Sequence, residues 1–163
     1  MNRHSIAALS LLSVTACAKP PEPAPDEAAI RTAISAEMQK IMPAFAAKDV
    51  AAVTKFFTDD ATWILPDATT FTGRANIEAG AKAFFGSFES ATAVDMKLDR
   101  LIVVSDTEAV TFAHGTFSMT MKGKKPENHV NPFADQWKKG ADGVWRIAYE
   151  VNAEGLVPAA PAK

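Results

Sequence analysis

Cysteine is almost absent from this chain of 163 residues, which has one cysteine, one tyrosine and three histidines. The single cysteine, Cys17, cannot form a disulfide within the chain, so no disulfide framework supports the fold. The sequence also has no paired His or Cys ligand set, no Gly-rich phosphate loop and no serine nucleophile elbow. We therefore predict no metal and no cofactor.

Positive charge is not in excess either, because 17 Lys and Arg stand against 19 Asp and Glu, for a formal net charge of −2. Removal of Arg3 with an N-terminal leader leaves 16 basic residues against 19 acidic ones, hence −3. The densest basic run is Lys122, Lys124 and Lys125, which we assign to a solvated hairpin tip. Phosphate binding needs clustered basic side chains, so we expect no nucleic-acid partner.

The apolar run over residues 6–16 follows Arg3 and is too short to cross a bilayer. A basic start followed by an apolar run of this length is typical of a signal peptide. The run ends in Val-Thr-Ala-Cys, residues 14–17, which resembles the bacterial lipobox, where the cysteine is lipidated and becomes the new N-terminus. We predict a lipoprotein signal peptide over residues 1–17, with Cys17 as the lipidation site. Several acyl chains on one residue are enough for stable anchoring.

Proline marks the segment that follows, with four prolines in residues 18–25, and this composition favours a semi-rigid tether. The remaining length fits one domain, which we place at residues 26–153, and a flexible tail rich in Pro and Ala over residues 154–163. With 48% hydrophobic and 22% charged residues, a folded globular domain is expected. The predicted location is the periplasm, lipid-anchored to the cell envelope at the outer membrane.

Helical spacing dominates the first half of the domain. One apolar stripe predicts a long first helix and contains Ile30, Ile34, Met38, Ile41 and Phe45. A short second helix is predicted after Asp49 with Phe57 on its inner face, then a turn over residues 58–60 and a strand over residues 61–65. A third helix is predicted from Gly73 to Phe88. Later the period changes to two, and strands are predicted near residues 94–99, 109–121, 129–138 and 144–153. Helices first and antiparallel strands second is the α+β order.

Five segments resemble one protein family, and they lie at residues 46–49, 57–61, 71–77, 115–117 and 142–147. In that order they resemble the SnoaL-like branch of the nuclear-transport-factor-like superfamily, which also contains ketosteroid isomerases. The resemblance implies a cone-shaped, curved antiparallel sheet packed on a long N-terminal helix and two shorter helices, with an apolar cavity on the concave side. It also implies a homodimer. It does not imply one reaction.

Ketosteroid isomerases need a carboxylate base, a tyrosine and a protonated aspartic acid. Tyr149 is the one tyrosine here, so that mechanism does not carry over residue by residue. The epoxide hydrolases of the same superfamily use two aspartates bridged by an arginine. Asp99 and Arg100 are adjacent in this chain, so in a strand they point to opposite faces and do not reproduce that arrangement.

Strand alternation predicts which side chains face the cavity. We expect the interior to be almost entirely apolar, with ligand-pocket residues Trp63, Phe117, Asp135, Trp137 and Tyr149, although such aromatic residues are also typical of plain core. Asp135, between Phe133 and Trp137, is the candidate catalytic residue, because desolvation would raise its pKa and suit it to proton transfer. Alternatively, a bulge turns Asp135 to solvent.

Three other titratable residues are assigned elsewhere. Glu150 lies on the opposite face in this register and would face the pocket only if the strand pairing slipped by one residue. His114 has polar neighbours on its face, which indicates a surface or dimer-interface position. His129, near Pro126, is assigned to a loop.

Three functions remain open from the sequence. The first is a membrane-tethered domain that binds a small hydrophobic molecule in its cone. The second is an isomerase, cyclase or dehydratase that uses Asp135 as an acid or base. The third is a noncatalytic module that dimerises through the outer face of its sheet and whose cone is only a packed core.

Overall fold

The computed structural model describes residues 24–153, and Cys17, the leader, most of the tether and the tail lie outside the described residues. Within that range the elements are, in order, α1 (Glu27–Ala46), α2 (Val50–Thr54), β1 (Phe57–Ile64), β2 (Thr70–Thr72), α3 (Arg74–Ser87), β3 (Phe88–Ser105), β4 (Glu108–Met121), β5 (Glu127–Lys139) and β6 (Trp145–Asn152). None of the helices in this range is both long enough and apolar enough to span a membrane.

Helix α1 starts at Asp26, whose carboxylate accepts a hydrogen bond from the Ala29 N–H at 3.0 Å. This cap satisfies one of the N–H groups that the first helical turn leaves unpaired. Spacing of four residues brings one stripe of side chains into the core, namely Ile30, Ile34, Met38 and Met42. The stripe packs mainly against β3, so α1 covers the concave side of the sheet.

The six described strands form one sheet in the order β2-β1-β6-β5-β4-β3. Strand β1 pairs with β6 in parallel, and the other neighbours are antiparallel. The two edge strands, β2 and β3, do not pair with each other, so the sheet stays open. Four register shifts between β3 and β4 are bulges of the kind that bend a sheet. The α+β class and the curved sheet on a long first helix are confirmed.

One face of the sheet is buried under the helices and the other is not. Along β4 the inner side chains alternate strictly, and they are Ala109, Thr111, Ala113 and Phe117, each buried. Phe112, between two of them, is 43% exposed on the outer face. This alternation agrees with the predicted inner position of Phe117 and outer position of His114, and it brings Thr111, a polar residue, into the interior.

Strand β6 contains a bulge that the alternation did not predict. Trp137 pairs with Ile147, whereas its neighbour Gln136 pairs with Tyr149, so Ala148 has no partner on β5. A bulge of one residue reverses the facing of everything beyond it. Tyr149 is therefore 40% exposed on the outer face, and the prediction that it lines the pocket is wrong. Glu150 takes the inner position instead.

Several element boundaries also differ from the predicted ones. Phe57 belongs to β1, because it pairs with Ile147 rather than ending the second helix. The predicted turn at residues 58–60 is part of the same strand. Phe88 begins β3 instead of ending α3. His129 lies in β5, where it pairs with Phe117, and not in a loop.

Candidate functional site

A cavity of about 150 Å³ lies between the concave face of the sheet and the helices. Most of its wall is apolar. The phenyl ring of Phe45 on α1 lies 5.4 Å from that of Phe85 on α3 and 4.9 Å from that of Phe117 on β4, measured between ring centroids. Because these side chains come from three elements, packing of the helices on the sheet fixes the shape of this wall.

Four of the five predicted pocket residues line the cavity, namely Trp63, Phe117, Asp135 and Trp137. Tyr149 does not line the cavity, because the bulge at Ala148 turns its side chain to the outer face. His114 lies on the outer face, where its Nδ1 is 2.6 Å from Asp99 Oδ2. That position agrees with the surface assignment of His114.

The polar residues that line the cavity come from β5 and β6, which also contribute apolar ones. These polar residues are His129, Asn131, Asp135, Glu150 and Asn152. Asp135 and Glu150 are direct partners across the two strands, so their side chains project from neighbouring positions on the same face. The bulge at Ala148 makes this pairing possible, because strict alternation from Ile147 would turn Glu150 outward.

Asp135 is 1% exposed and has few hydrogen-bond partners. Its Oδ2 accepts a long hydrogen bond of 3.5 Å from the Thr111 hydroxyl, and the Trp137 indole N–H donates to the same hydroxyl oxygen at 2.9 Å. Its Oδ1 is buried and has no hydrogen-bond partner among the described residues. Burial raises the pKa of Asp135 well above its usual range, and repulsion from Glu150 raises it further, against a lowering by Thr111.

The carboxyl group of Glu150 is held by a shorter hydrogen bond than that of Asp135. Its Oε1 accepts a hydrogen bond of 2.7 Å from the Asn152 side-chain N–H, and the Asn152 oxygen accepts one of 2.7 Å from Asn131. Although the residue as a whole is only partly buried, enclosure of its carboxyl group raises the pKa of Glu150 to about 7. The side chains of Asn152 and Trp63 both lower that pKa.

Two neighbouring carboxyl groups with raised pKa values repel each other when both are ionised, so they favour a state in which one proton remains on the pair. A pair of this kind can donate a proton from one group and accept one at the other. Within residues 24–153 no cluster of three or more His, Cys, Asp or Glu side chains is arranged to hold a metal ion.

Residues 38–149 match the SnoaL-like domain family, and this segment is more than half of the chain. The chain belongs to the SnoaL-like domain family. No curated protein matches this SnoaL-like chain in sequence. The predicted resemblance to the SnoaL-like fold is thereby confirmed.

Solved structures with the same fold include three whose names describe different activities. A putative scytalone dehydratase from Novosphingobium aromaticivorans has 14% identity and a TM-score of 0.71, over 83% of this chain and 91% of that one. A hexachlorocyclohexane dehydrochlorinase from Novosphingobium barchaimii has 15% identity and a TM-score of 0.68, over 83% and 93%. A ketosteroid isomerase-like protein from Erwinia carotovora atroseptica has 19% identity and a TM-score of 0.63, over 78% and 96%. At these identities the likeness shows the fold of the SnoaL-like domain alone.

The sequence pattern did not predict most of the polar residues that line the cavity of this SnoaL-like domain. Asn131 and His129 have the same parity as Asp135 along β5, so applying the alternation to the start of the strand predicted at residues 129–138 would have placed them inside. Asn152 and Glu150 depend on the bulge. Ala148 fits either face of a strand, and for that reason nothing in the local sequence marks the bulge.

Proposed function

We propose that this SnoaL-like domain binds a small, mainly apolar molecule in its cavity and holds one polar group of that molecule at Asp135. The observation that carries the proposal is Asp135 Oδ1, a buried oxygen without a partner on the wall of an apolar cavity. A buried acceptor left unsatisfied costs free energy, which a bound donor recovers. An apolar pocket with a few convergent polar groups is the usual form of a ligand site.

The size of the cavity limits the molecule. A dry cavity of about 150 Å³ can accept a single aromatic ring such as benzene. The cavity here has about that volume, so we expect a ligand built on one ring or on an aliphatic body of similar size. Shape and polarity together thus favour a compact molecule with one polar end.

The test is native mass spectrometry of the full chain, purified in mild detergent from the organism that makes it, with the Asp135→Asn variant beside it. A mass added to the wild type and absent from the variant is the expected result. The matched control is Asp99→Asn, which makes the same change on the outer face and should retain the added mass. The same unoccupied mass for all three proteins contradicts the proposal.

A second candidate is proton-transfer catalysis at Asp135 and Glu150, as in an isomerase, cyclase or dehydratase. The two carboxyl groups have unequal surroundings, and such pairs commonly divide the roles of acid and base. Two of the similar structures are named as a dehydratase and a dehydrochlorinase. Deuterium uptake from heavy water into the molecule bound to the wild type, abolished in a Glu150→Gln variant that still binds the molecule, supports catalysis. A molecule that binds without any exchange or conversion supports binding alone.

We also propose that the domain is tethered outside the cytoplasm, in the periplasm, by lipid on Cys17 at the outer membrane. The support is the apolar run over residues 6–16, the lipobox-like residues 14–17 and the prolines that follow. In detergent phase separation the wild type should enter the detergent phase. Cys17→Ser should leave the protein in the aqueous phase, and equal partitioning of the two forms contradicts the tether.

We further propose that the outer face of the sheet forms a homodimer. This outer apolar face consists of the exposed large apolar side chains on β3 to β6, namely Ile102, Val104, Phe112, Val130 and Tyr149. All five lie on one face of the sheet, and exposed apolar side chains gathered on one face favour an interaction surface. The same face also supports the alternative of a noncatalytic assembly module. That alternative differs from the binding proposal because it predicts an unoccupied cavity.

A further inference from the structure

We infer that the molecule in the cavity is an organic cation, a protonated amine on a single-ring body, whose ammonium group lies between Asp135 and Glu150. This inference rests on the proposed binding function and names the chemical class of its ligand. Three features of the cavity support it: the charges of the lining side chains, the unpaired Oδ1 of Asp135, and the aromatic side chains near the carboxyl pair.

The charge of the cavity wall is one-sided. Asp135 and Glu150 are partners across β5 and β6, and among the described lining residues there is no lysine and no arginine. His129 is the other titratable lining residue, and it is six positions from Asp135 along β5, roughly 20 Å at the usual rise of a strand. Buried charges in proteins are normally paired, so this pair lacks a counter-charge that a ligand can supply.

The open hydrogen-bonding positions match a donor with more than one N–H. Among the described residues Asp135 Oδ1 has no hydrogen-bond partner, and Asn152 donates a hydrogen bond to Oε1 of Glu150. An ammonium group has several donors and no acceptor, so it can bond to both carboxylates at once. A hydroxyl has one donor, and a carboxylate ligand has none and is repelled by the pair.

Aromatic rings surround the same end of the cavity. Phe133 and Trp137 flank Asp135 on the inner face of β5, and Trp63 is the partner of Glu150 on β1. Aromatic side chains bury a large apolar area and so favour contact with the apolar body of a ligand. Apolar rings can therefore hold the body of the amine while the carboxyl pair takes its charge.

A cation changes how the pair titrates. The lining residues from α1, α3, β1 and β4 contribute no titratable group, so Asp135 and Glu150 control the local charge, with His129 at the far position. Because a bound cation favours the ionised carboxylates, its affinity should rise as the pH increases through about 7, the range in which Glu150 ionises. A neutral ligand has no such requirement.

The experiment is isothermal titration calorimetry on the full chain in detergent with three single-ring probes, namely benzylamine, benzyl alcohol and benzoate. We expect benzylamine to bind at least about tenfold more tightly than benzyl alcohol at about pH 8, and benzoate not to bind. The tenfold advantage should shrink at about pH 5.5 as the carboxyl pair becomes protonated. Asp135→Asn and Glu150→Gln should each reduce the advantage to about threefold or less, whereas Asp99→Asn should leave it unchanged.

The outcomes separate the two proposals. If benzyl alcohol binds as tightly as benzylamine at both pH values, and Asp135→Asn weakens it, the cation inference is wrong and the binding function stands. If none of the three probes binds to the wild type, the single-ring binding function fails and the inference fails with it. The comparison of probes on the wild type needs no variant, so it decides the question even if a substitution disturbs folding.

Discussion

Asp135 is buried, but its carboxyl group makes little use of its hydrogen-bonding capacity. Its neighbours on the inner face of β5 are Phe133 and Trp137, and the long hydrogen bond from Thr111 is the one bond to its carboxyl group. Thr111 is itself held by the indole of Trp137. The residues around Asp135 therefore fix its position but do not compensate its charge, which is why its pKa is raised.

This environment makes stability depend on pH in an unusual direction for carboxyl groups. The pKa values of Asp135 and Glu150 are raised on folding, so between about pH 4 and the folded pKa values the folded state binds more protons than the unfolded state. The contribution of the pair to the free energy of unfolding therefore falls as pH rises. Differential scanning fluorimetry should show a Tm that is lower at about pH 8 than at about pH 5, by about 3 °C or more.

Variants identify the residues responsible for that slope. Asp135→Asn removes the buried charge and keeps an oxygen for Thr111, so at about pH 8 it should stabilise the protein by about 1–3 kcal/mol and flatten the dependence of Tm on pH. Asp106→Asn, in the exposed turn between β3 and β4, should leave the slope unchanged. An unchanged slope in Asp135→Asn would show that the carboxyl group is ionised and solvated in the folded protein.

Strand β6 shows where prediction from the sequence reaches its limit. The stripe of α1, the cap of α2 at Asp49 and the inner face of β4 followed from periodicity and local chemistry, and the structure contains all three. Alternation placed Asp135 inside, with a bulge that turns it to solvent as the alternative, and the structure has the buried position. Beyond Ala148 the same rule gives the wrong face, because a bulge depends on pairing with β5 and not on local sequence.

Helix α3 offers a prediction from two glycines that have different surroundings. A Cβ added at Gly80 would lie 2.8 Å from the ring of Phe71 on β2, whereas one added at Gly86 would meet nothing within 4 Å. Gly86→Ala should therefore stabilise the protein by about 0.5–1 kcal/mol through helix propensity. Gly80→Ala should destabilise it by about 1–3 kcal/mol, because Phe71 must move against Trp63.

Chemical denaturation with urea measures both glycine variants under the same conditions. Each substitution has the same intrinsic effect on a helix, so the difference between the two free energies of unfolding isolates the close approach of α3 to β2. Equal stabilisation by both would contradict that close approach and the packing of Phe71 against α3.

In the molecule as a whole, the two faces of the sheet differ in what they present. The concave face encloses a cavity with an aromatic wall and a carboxyl pair, and the outer apolar face is available for association. The family and the similar structures establish the fold, but at 14–19% identity they leave the chemistry to this chain's own residues. Both candidate ligand functions depend on the concave face and neither requires the dimer.

The dimer proposal is tested by placing a charge on the outer apolar face. Phe112→Glu should convert the protein to a monomer in sedimentation velocity while leaving its circular dichroism unchanged, since Phe112 is already 43% exposed. The Cys17→Ser background avoids detergent micelles. Ala83→Glu adds the same charge on exposed α3 and should leave the dimer intact. A wild type that is monomeric at all concentrations would remove the proposal.

One bulge brings Asp135 and Glu150 together inside the cavity, and carbon-detected NMR titration of the two carboxyl groups tests this arrangement directly. We predict pKa values for both groups above the ordinary range of about 4, and a lower pKa for Asp135 in Glu150→Gln than in the wild type. Tyr149→Phe, one position away on the outer face, should change neither pKa. Ordinary pKa values for both groups, or an Asp135 pKa that ignores Glu150→Gln, would contradict the account.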